Sequence, residues 1–288
     1  MSDWTAIIDD VIDHVNLLKE LGERSAEVDP SVFRALAAAP KAAGAARPAA
    51  AAATPAAAPR PEPAAARPAR PQAPAAAAGE PPLPPEERRR RLAEIAVRVD
   101  ACEACPLRQN RTRSVPGQGN PDSPDIMFIG EAPGADEDLQ GQAFVGAAGQ
   151  FLTKMIQAMG YTRDDVFIAN ICKCRPPNNR TPLPEEMQTC LPFLREQIRV
   201  IRPKTIVLLG GTAIKGLLDT QVGVTRMQGQ WTKYEGIPVM PTFHPAYILR
   251  FESFGDLDGL KTAKTQVWKA LKLVLTQLGK PVPGPKTA

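Results

Sequence analysis

The chain has 288 residues, 43% of them hydrophobic, and a formal net charge of +4, enough for one sizeable domain with additional segments. It has no run of apolar residues long enough to predict a membrane helix, and its acidic start lacks the basic region and cleavage site of an export signal. Five cysteines without such a signal argue against a disulfide framework and for a metal site in a reducing, cytoplasmic setting.

The charge is uneven. Residues 1–37 carry 8 acidic and 3 basic side chains, residues 38–85 carry 5 basic and 2 acidic, and residues 86–288 are left with +6. A mildly basic domain fits a polyanionic partner without proving one.

Residues 1–37 read as an amphipathic helix with a short tail. Trp4, Ile7, Ile8, Val11, Ile12, Val15 and Leu18 recur at three- and four-residue steps. An isolated helix cannot bury such a stripe, so it must dock on the domain, on another copy or on a partner. His14, beside the stripe, reads as a surface residue. Residues 38–85 are low in complexity: 36 of the 48 are Ala or Pro. Proline this frequent prevents a stable helix, and few large apolar side chains offset the entropy of ordering. The segment is expected to be a disordered, partly polyproline-extended tether.

The globular domain is expected over residues 86–280, with a disordered tail at 281–288. Its first element is a helix from Glu86 to Val99. Four apolar runs then read as strands: Asp125–Ile129, Val166–Ile171, Thr205–Leu209 and Ile237–Pro241. Helical patterns separate or follow them at Gly149–Met159, Pro184–Ile201, Gly211–Leu218 and Gly259–Leu278. Strands alternating with helices predict a parallel sheet covered by helices on both faces. In such a fold ligands bind beyond the carboxyl ends of the strands. Glu131, Asn170 and His244 each lie at or just past such an end, so three polar groups from distant sequence should converge on one crevice.

Each of these residues also has a plain reading. Glu131, in Gly130-Glu131-Ala132-Pro133-Gly134, could be only a turn acceptor. Phe144 could be a core residue, or an aromatic able to stack on a flat ring. Asn170 could cap the sheet or pair with an imide edge, since its amide both accepts and donates. Asn179, in a Pro-rich loop, could only form a turn. His244 is the one histidine of the domain, and its place past a strand end raises its standing.

Cys102 and Cys105 are spaced to grip one centre from a tight turn, with Cys190 far downstream on a helix. The fifteen residues between Cys174 and Cys190 depart from paired zinc-ribbon spacing, which favours an iron–sulfur cluster while leaving zinc open. Spacing does not decide between Cys172 and Cys174 as the fourth ligand, because a continuing strand would aim both to the same face.

With these tracts in view, residues 99–251 resemble the iron–sulfur, family 4 uracil-DNA glycosylases. The resemblance rests on C-E-A-C-P-L (102–107), G-E-A-P-G-A-D-E-D (130–138), G-Q-A-F-V-G-A-A-G-Q (141–150), N-I-C-K-C-R-P-P-N-N-R-T-P (170–182) and H-P-A-Y-I-L-R (244–250). Residues 1–85 lie outside it. It implies a three-layer α/β fold with a central four-stranded parallel sheet, and excision of uracil from single- or double-stranded DNA. It implies a 4Fe-4S cluster held by Cys102, Cys105, Cys174 and Cys190, which selects Cys174 over Cys172.

Within the implied pocket, Phe144 stacks on uracil, Asn170 pairs with its imide edge, Glu131 and Ala132 line the wall, and His244 faces O2. Tyr247, Ile248, Leu249 and Arg250 correspond to a loop that enters the DNA. Glu131 or Asn179 is expected to orient the attacking water. The expected protein is a cytoplasmic, nucleoid-associated monomer whose residues 1–37 contact a repair or replication protein. A non-catalytic iron–sulfur DNA-binding or electron-transfer module is the rival reading, and it leaves Asn170 and His244 without a purpose.

Overall fold

The computed structural model of the chain describes residues 83–284. The amphipathic segment 1–37, nearly all of the Ala/Pro tract and the last four residues lie outside the described residues.

The described chain opens with helix α1, Pro85–Asp100. Proline at the start, Glu86 and Glu87 in the first turn and Arg98 in the last suit the helix dipole. Of the four arginines 88–91, Arg89, Arg90 and Arg91 form a solvated face, with Arg90 bridging Glu87 and Glu94 and Arg91 bridging Glu87, whereas Arg88 is buried and donates to the Leu83 carbonyl and to Ser123 Oγ. The opposite face buries Ile95 and Val99 against Val200.

Beyond α1 come the strands β1 (Gln118–Gly119), β2 (Ile126–Gly130), β3 (Phe167–Asn170), β4 (Thr205–Leu209), β5 (Thr232–Tyr234) and β6 (Ile237–Thr242). The remaining helices are α2 (Ala135–Gln140), α3 (Ala147–Ala158), α4 (Pro184–Ile201), α5 (Gly211–Leu218), α6 (Val224–Met227), α7 (Pro245–Phe254) and α8 (Leu257–Gln277).

The strands form one sheet in the order β1-β3-β2-β4-β6-β5. Its four central members, β3, β2, β4 and β6, are parallel. This is the expected sheet, extended by an antiparallel strand at each edge. The edges escape sequence reading because each is two or three residues long, too short for alternation to register.

The central strands read as unbroken apolar runs because both faces are covered. Along β2, Ile126 and Phe128 point into one core with α3, α7 and α8, while Met127 and Ile129 point into the other with α4 and α5. Val207 and Leu209 of β4 join the first core, and Ile206 and Leu208 the second.

Register brings the carboxyl ends level: Gly130 lies beside Asn170, and Leu209 beside Thr242. The strand order reverses direction between β2 and β4, so the crevice of a doubly wound sheet falls there. Among the described residues no helix is long and apolar enough to cross a membrane.

Candidate active site

A cavity of about 520 Å³ opens at this carboxyl edge, within the range usual for small-ligand sites. Glu131, Ala132, Phe144, Asn170, Asn179 and His244 all line it, as do Tyr247 and Arg250. Five separate stretches of sequence therefore meet where the strand ends meet.

Asn170 is the last residue of β3 and is 1% exposed. Its backbone carbonyl accepts from Lys173 Nζ at 2.9 Å. Its side-chain Oδ1 is buried with no protein partner, and of the atoms in that state among the described residues it is the one whose residue lines the cavity. Gly130, its neighbour in register, is required by space. A Cβ there would lie 2.4 Å from Phe144 Cζ and 2.6 Å from Asn170 Oδ1. The missing side chain thus lets an aromatic ring and an amide reach the same corner.

Phe144 is buried, with a backbone φ of 56°, a left-handed conformation uncommon for a bulky residue. Its ring centroid is 5.7 Å from that of His244, with the planes at 35°.

His244 caps the N-terminus of α7, its Nδ1 accepting from the backbone N–H of Ala246 at 3.2 Å. An acceptor Nδ1 puts the proton of a neutral imidazole on Nε2. Burial first, and the Arg250 guanidinium second, hold the ring's pKa down to about 4, against a smaller opposing pull from Glu137. At neutral pH His244 is therefore an uncharged donor. Gly210 stands behind it at φ 88°, where a Cβ would approach His244 Cβ to 3.0 Å.

Glu131 follows β2. Burial raises its pKa, and the Thr212 side-chain hydrogen bond and Arg250 work against that rise. Asn179 is exposed at the mouth, and its Oδ1 accepts from Arg175 Nε at 2.7 Å. Asn178 and Asn179 both have positive φ. Their loop is tied to α4 through Arg180, which makes two bonds to Glu186 at 2.7 and 2.8 Å.

The four residues expected to form a DNA-entering loop lie in the first turns of α7. Tyr247 is 39% exposed; its ring lies 4.9 Å from Phe243 in a tilted contact and 5.0 Å from Phe251 edge to face. Arg250 is exposed and Leu249 half-buried. Ile248 departs from the expectation: it is fully buried in the core under α3 and α8. On a helix, one of four consecutive residues has to face inward, and here Ile248 anchors α7 and does not reach outward.

Sequence reading missed Phe243, Gly210, Thr212 and Arg180. The Leu209-Gly210-Gly211 turn after a strand resembles the Ile129-Gly130 turn and was the available signal.

A second, small cavity has Cys102, Cys105, Cys174 and Cys190 in its wall, with Arg108 and Lys173. Cys172 is absent from that wall and sits fully buried in the core between the sheet and α4. The strand stops at Asn170, so strand alternation does not govern the two cysteines. Sulfur here is met by donors: Arg111 Nη1 lies 3.0 Å from Cys174 Sγ, and the Lys173 N–H 3.2 Å from Cys190 Sγ. A hydrogen bond from Cys172, with help from Lys173, draws the Cys190 thiol below its ordinary value. All five cysteines are free of disulfides. Among the described residues no three His, Cys, Asp or Glu side chains are grouped to hold a metal ion. Four thiols, with donors directed at the sulfurs of Cys174 and Cys190, are the chemistry that suits a cluster, whose sulfurs are stabilised by such hydrogen bonds.

The site can hold a flat ring, with Phe144 at its face, the Asn170 amide at one edge and the His244 N–H toward another. Known proteins match in the same region. Residues 116–272 fit the family model described as the uracil DNA glycosylase superfamily. A type-4 uracil-DNA glycosylase of Thermotoga maritima is 49% identical over 161 residues, spanning 55% of this chain and 83% of that protein. One from Archaeoglobus fulgidus is 41% identical over 189 residues, spanning 59% of this chain and 94% of its own length. A type-5 uracil-DNA glycosylase of Pyrobaculum aerophilum is 32% identical over 138 residues, spanning 61% of that protein.

Proposed function

The chain belongs to the uracil-DNA glycosylase superfamily, in its type-4 branch, and from that premise we propose that it hydrolyses the bond between uracil and deoxyribose in DNA. The products are free uracil and an abasic site, the opening step of base-excision repair. The observation that carries the reading is the buried Oδ1 of Asn170, which has no partner in the protein. A buried acceptor costs about 1–3 kcal/mol when unpaired, and the N3–H of uracil supplies the missing donor. Cytosine has a lone pair at N3 and would leave the oxygen unpaired.

The enzyme takes the target base out of the stack and into the cavity. Phe144 covers one face of the ring, and the Asn170 amide accepts from N3–H and donates to O4. As the C1′–N1 bond breaks, its electron pair goes to N1 and the charge spreads to O2, leaving positive charge on the sugar. The Nε2–H of neutral His244 hydrogen-bonds the developing charge at O2. A preorganised donor of this kind is worth roughly 10²–10³ in rate, and a neutral imidazole serves as one when its surroundings depress its pKa. Water then adds to C1′ and gives up a proton to solvent, while the uracil anion takes one up at N1, so that free neutral uracil leaves. We assign the water's orientation to Glu131 and Asn179. Among the described residues no lysine lines the cavity, and we assign the enzyme hydrolysis alone.

Cys102, Cys105, Cys174 and Cys190 would hold a 4Fe-4S cluster. With these ligands the cluster would link the segment after α1 to the β3–α4 connection and to α4 itself, a structural role away from the bond being cleaved. Tyr247 and Arg250 at the mouth, with Leu249 behind them, are read as the DNA-facing part of α7. Residues 1–37 are read as a recruitment helix for a repair or replication protein, acting on a cytoplasmic, monomeric enzyme.

Incubation with an oligonucleotide containing one uracil is expected to release free uracil and leave an alkali-labile site, with no reaction on the cytosine counterpart. A uracil strand that stays intact at high enzyme concentration would overturn the assignment.

A further inference from the structure

Phe144 holds a left-handed backbone that needs a physical cause. A phenylalanine seldom stays at a φ near 56° unless its surroundings over-determine it. Two charged side chains supply that constraint from opposite sides of the same backbone stretch.

On one side is Arg163, in a short turn before β3. Its Nη1 donates to the carbonyl of Phe144 at 3.0 Å, and its Nη2 to the carbonyl of Ala143 at 2.6 Å. The guanidinium is held in turn by Thr153 Oγ1 of α3 at 3.2 Å. On the other side is Glu137 of α2, 9% exposed. Its Oε1 accepts from the N–H groups of Val145 and Gly146 at 2.8 and 2.9 Å. Its Oε2 accepts from the N–H of Gly134 at 3.1 Å.

The surrounding glycines fit the arrangement. A Cβ on Gly134 would lie 2.8 Å from Glu137 Oε2, and one on Gly149 would lie 1.9 Å from the Phe144 carbonyl oxygen. Helix α3 thus seats directly on the backbone of Phe144. The carbonyls of residues 143 and 144 point at a cation and the next two N–H groups at an anion, so the peptides on either side of Phe144 are held in one orientation.

We propose that Glu137 and Arg163 are positioning residues that clamp Phe144 in its stacking pose and thereby set the pocket's affinity for the extruded base. The proposal deepens the uracil-pocket reading and rests on it. Neither residue takes part in bond cleavage; both act through the ring they hold.

The test is a double-mutant cycle on the full-length protein, read by single-turnover excision and by calorimetric affinity for free uracil. Arg163→Met is expected to weaken uracil binding and to lower excision at subsaturating enzyme by up to about 10²-fold, the scale of loss when a positioned group shifts by roughly 1 Å. Arg163→Lys, which can keep one of the bonds, should fall between it and the wild type, and serves as the cycle member if the Met variant does not fold. With Phe144→Ala as background, the same Arg163 change should cost less than about threefold, because coupled residues are not additive. Equal losses in both backgrounds, or unchanged uracil affinity in the Arg163 variant, would refute the clamp. A wild-type protein that fails to release uracil would instead refute the function on which the clamp rests.

Discussion

Replacing Asn170 with aspartate tests the recognition step directly. The position is 1% exposed and its side-chain oxygen has no protein partner, so a carboxylate placed there would be neither solvated nor paired. Burial would favour its protonated form. The ionised form has no donor for uracil O4, and only an acid protonated on the oxygen that faces O4 reproduces the amide's donor and acceptor. Each neutral hydrogen bond lost from a buried site is worth about 1–3 kcal/mol, so one or two lost bonds predict roughly a 10²–10³-fold fall in kcat/KM for uracil. The protonated acid can also donate to N3 of cytosine and accept from its amino group, so slow cytosine excision should appear. The assay is single-turnover cleavage of matched uracil and cytosine oligonucleotides, with thermal melting as a control for folding. Unchanged uracil kinetics in a folded Asn170→Asp protein would remove Asn170 from the site and refute the argument from its unpaired oxygen.

Other outcomes follow from the same geometry. His244 has a folded pKa of about 4 against about 6.5 in the unfolded chain, so its stabilising contribution is complete above about 6.5 and is lost as pH falls toward 4. Between pH 7 and 4 the wild type should lose about 3 kcal/mol more stability than His244→Gln, measured by denaturant unfolding; parallel curves would show that the ring is not buried neutral. Cys105→Ser should lose visible absorbance and thermal stability together, whereas Cys172→Ser, outside the cavity wall, should keep the colour; bleaching by the second and not the first would reverse the ligand assignment. Deleting residues 1–82 should leave excision on short naked DNA close to the full-length rate and reduce co-purification of a repair or replication protein from cells. A large loss of activity in vitro would argue against the recruitment role.

Much of this was legible in the chain itself. A strand covered on both faces needs a continuous apolar run, and Ile126–Ile129 and Thr205–Leu209 carry one. That signal located the four central strands and hence their carboxyl ends. Since ligands bind there, Glu131, Asn170 and His244 could be assigned to one crevice before any coordinates, and they do line one cavity. Local composition decides such features, because periodicity and turn residues act within a few positions of themselves.

Other features depend on contacts between distant segments, and these only the tertiary structure decided. The edge strands β1 and β5 exist because β3 and β6 offer them an open edge. The expected loop after His244 is a helix because the imidazole itself caps it, and that bond also determines which nitrogen carries the proton. Cys172 and Cys174 are two residues apart, yet Cys174 lines the small cavity while Cys172 is buried outside its wall with its thiol hydrogen-bonded to Cys190. The left-handed Phe144 is held by Glu137, seven residues before it, and by Arg163, nineteen after. A sequence read by local pattern shows which residues could act; the direction each side chain faces, and the proton it carries, come from neighbours that folding alone brings together.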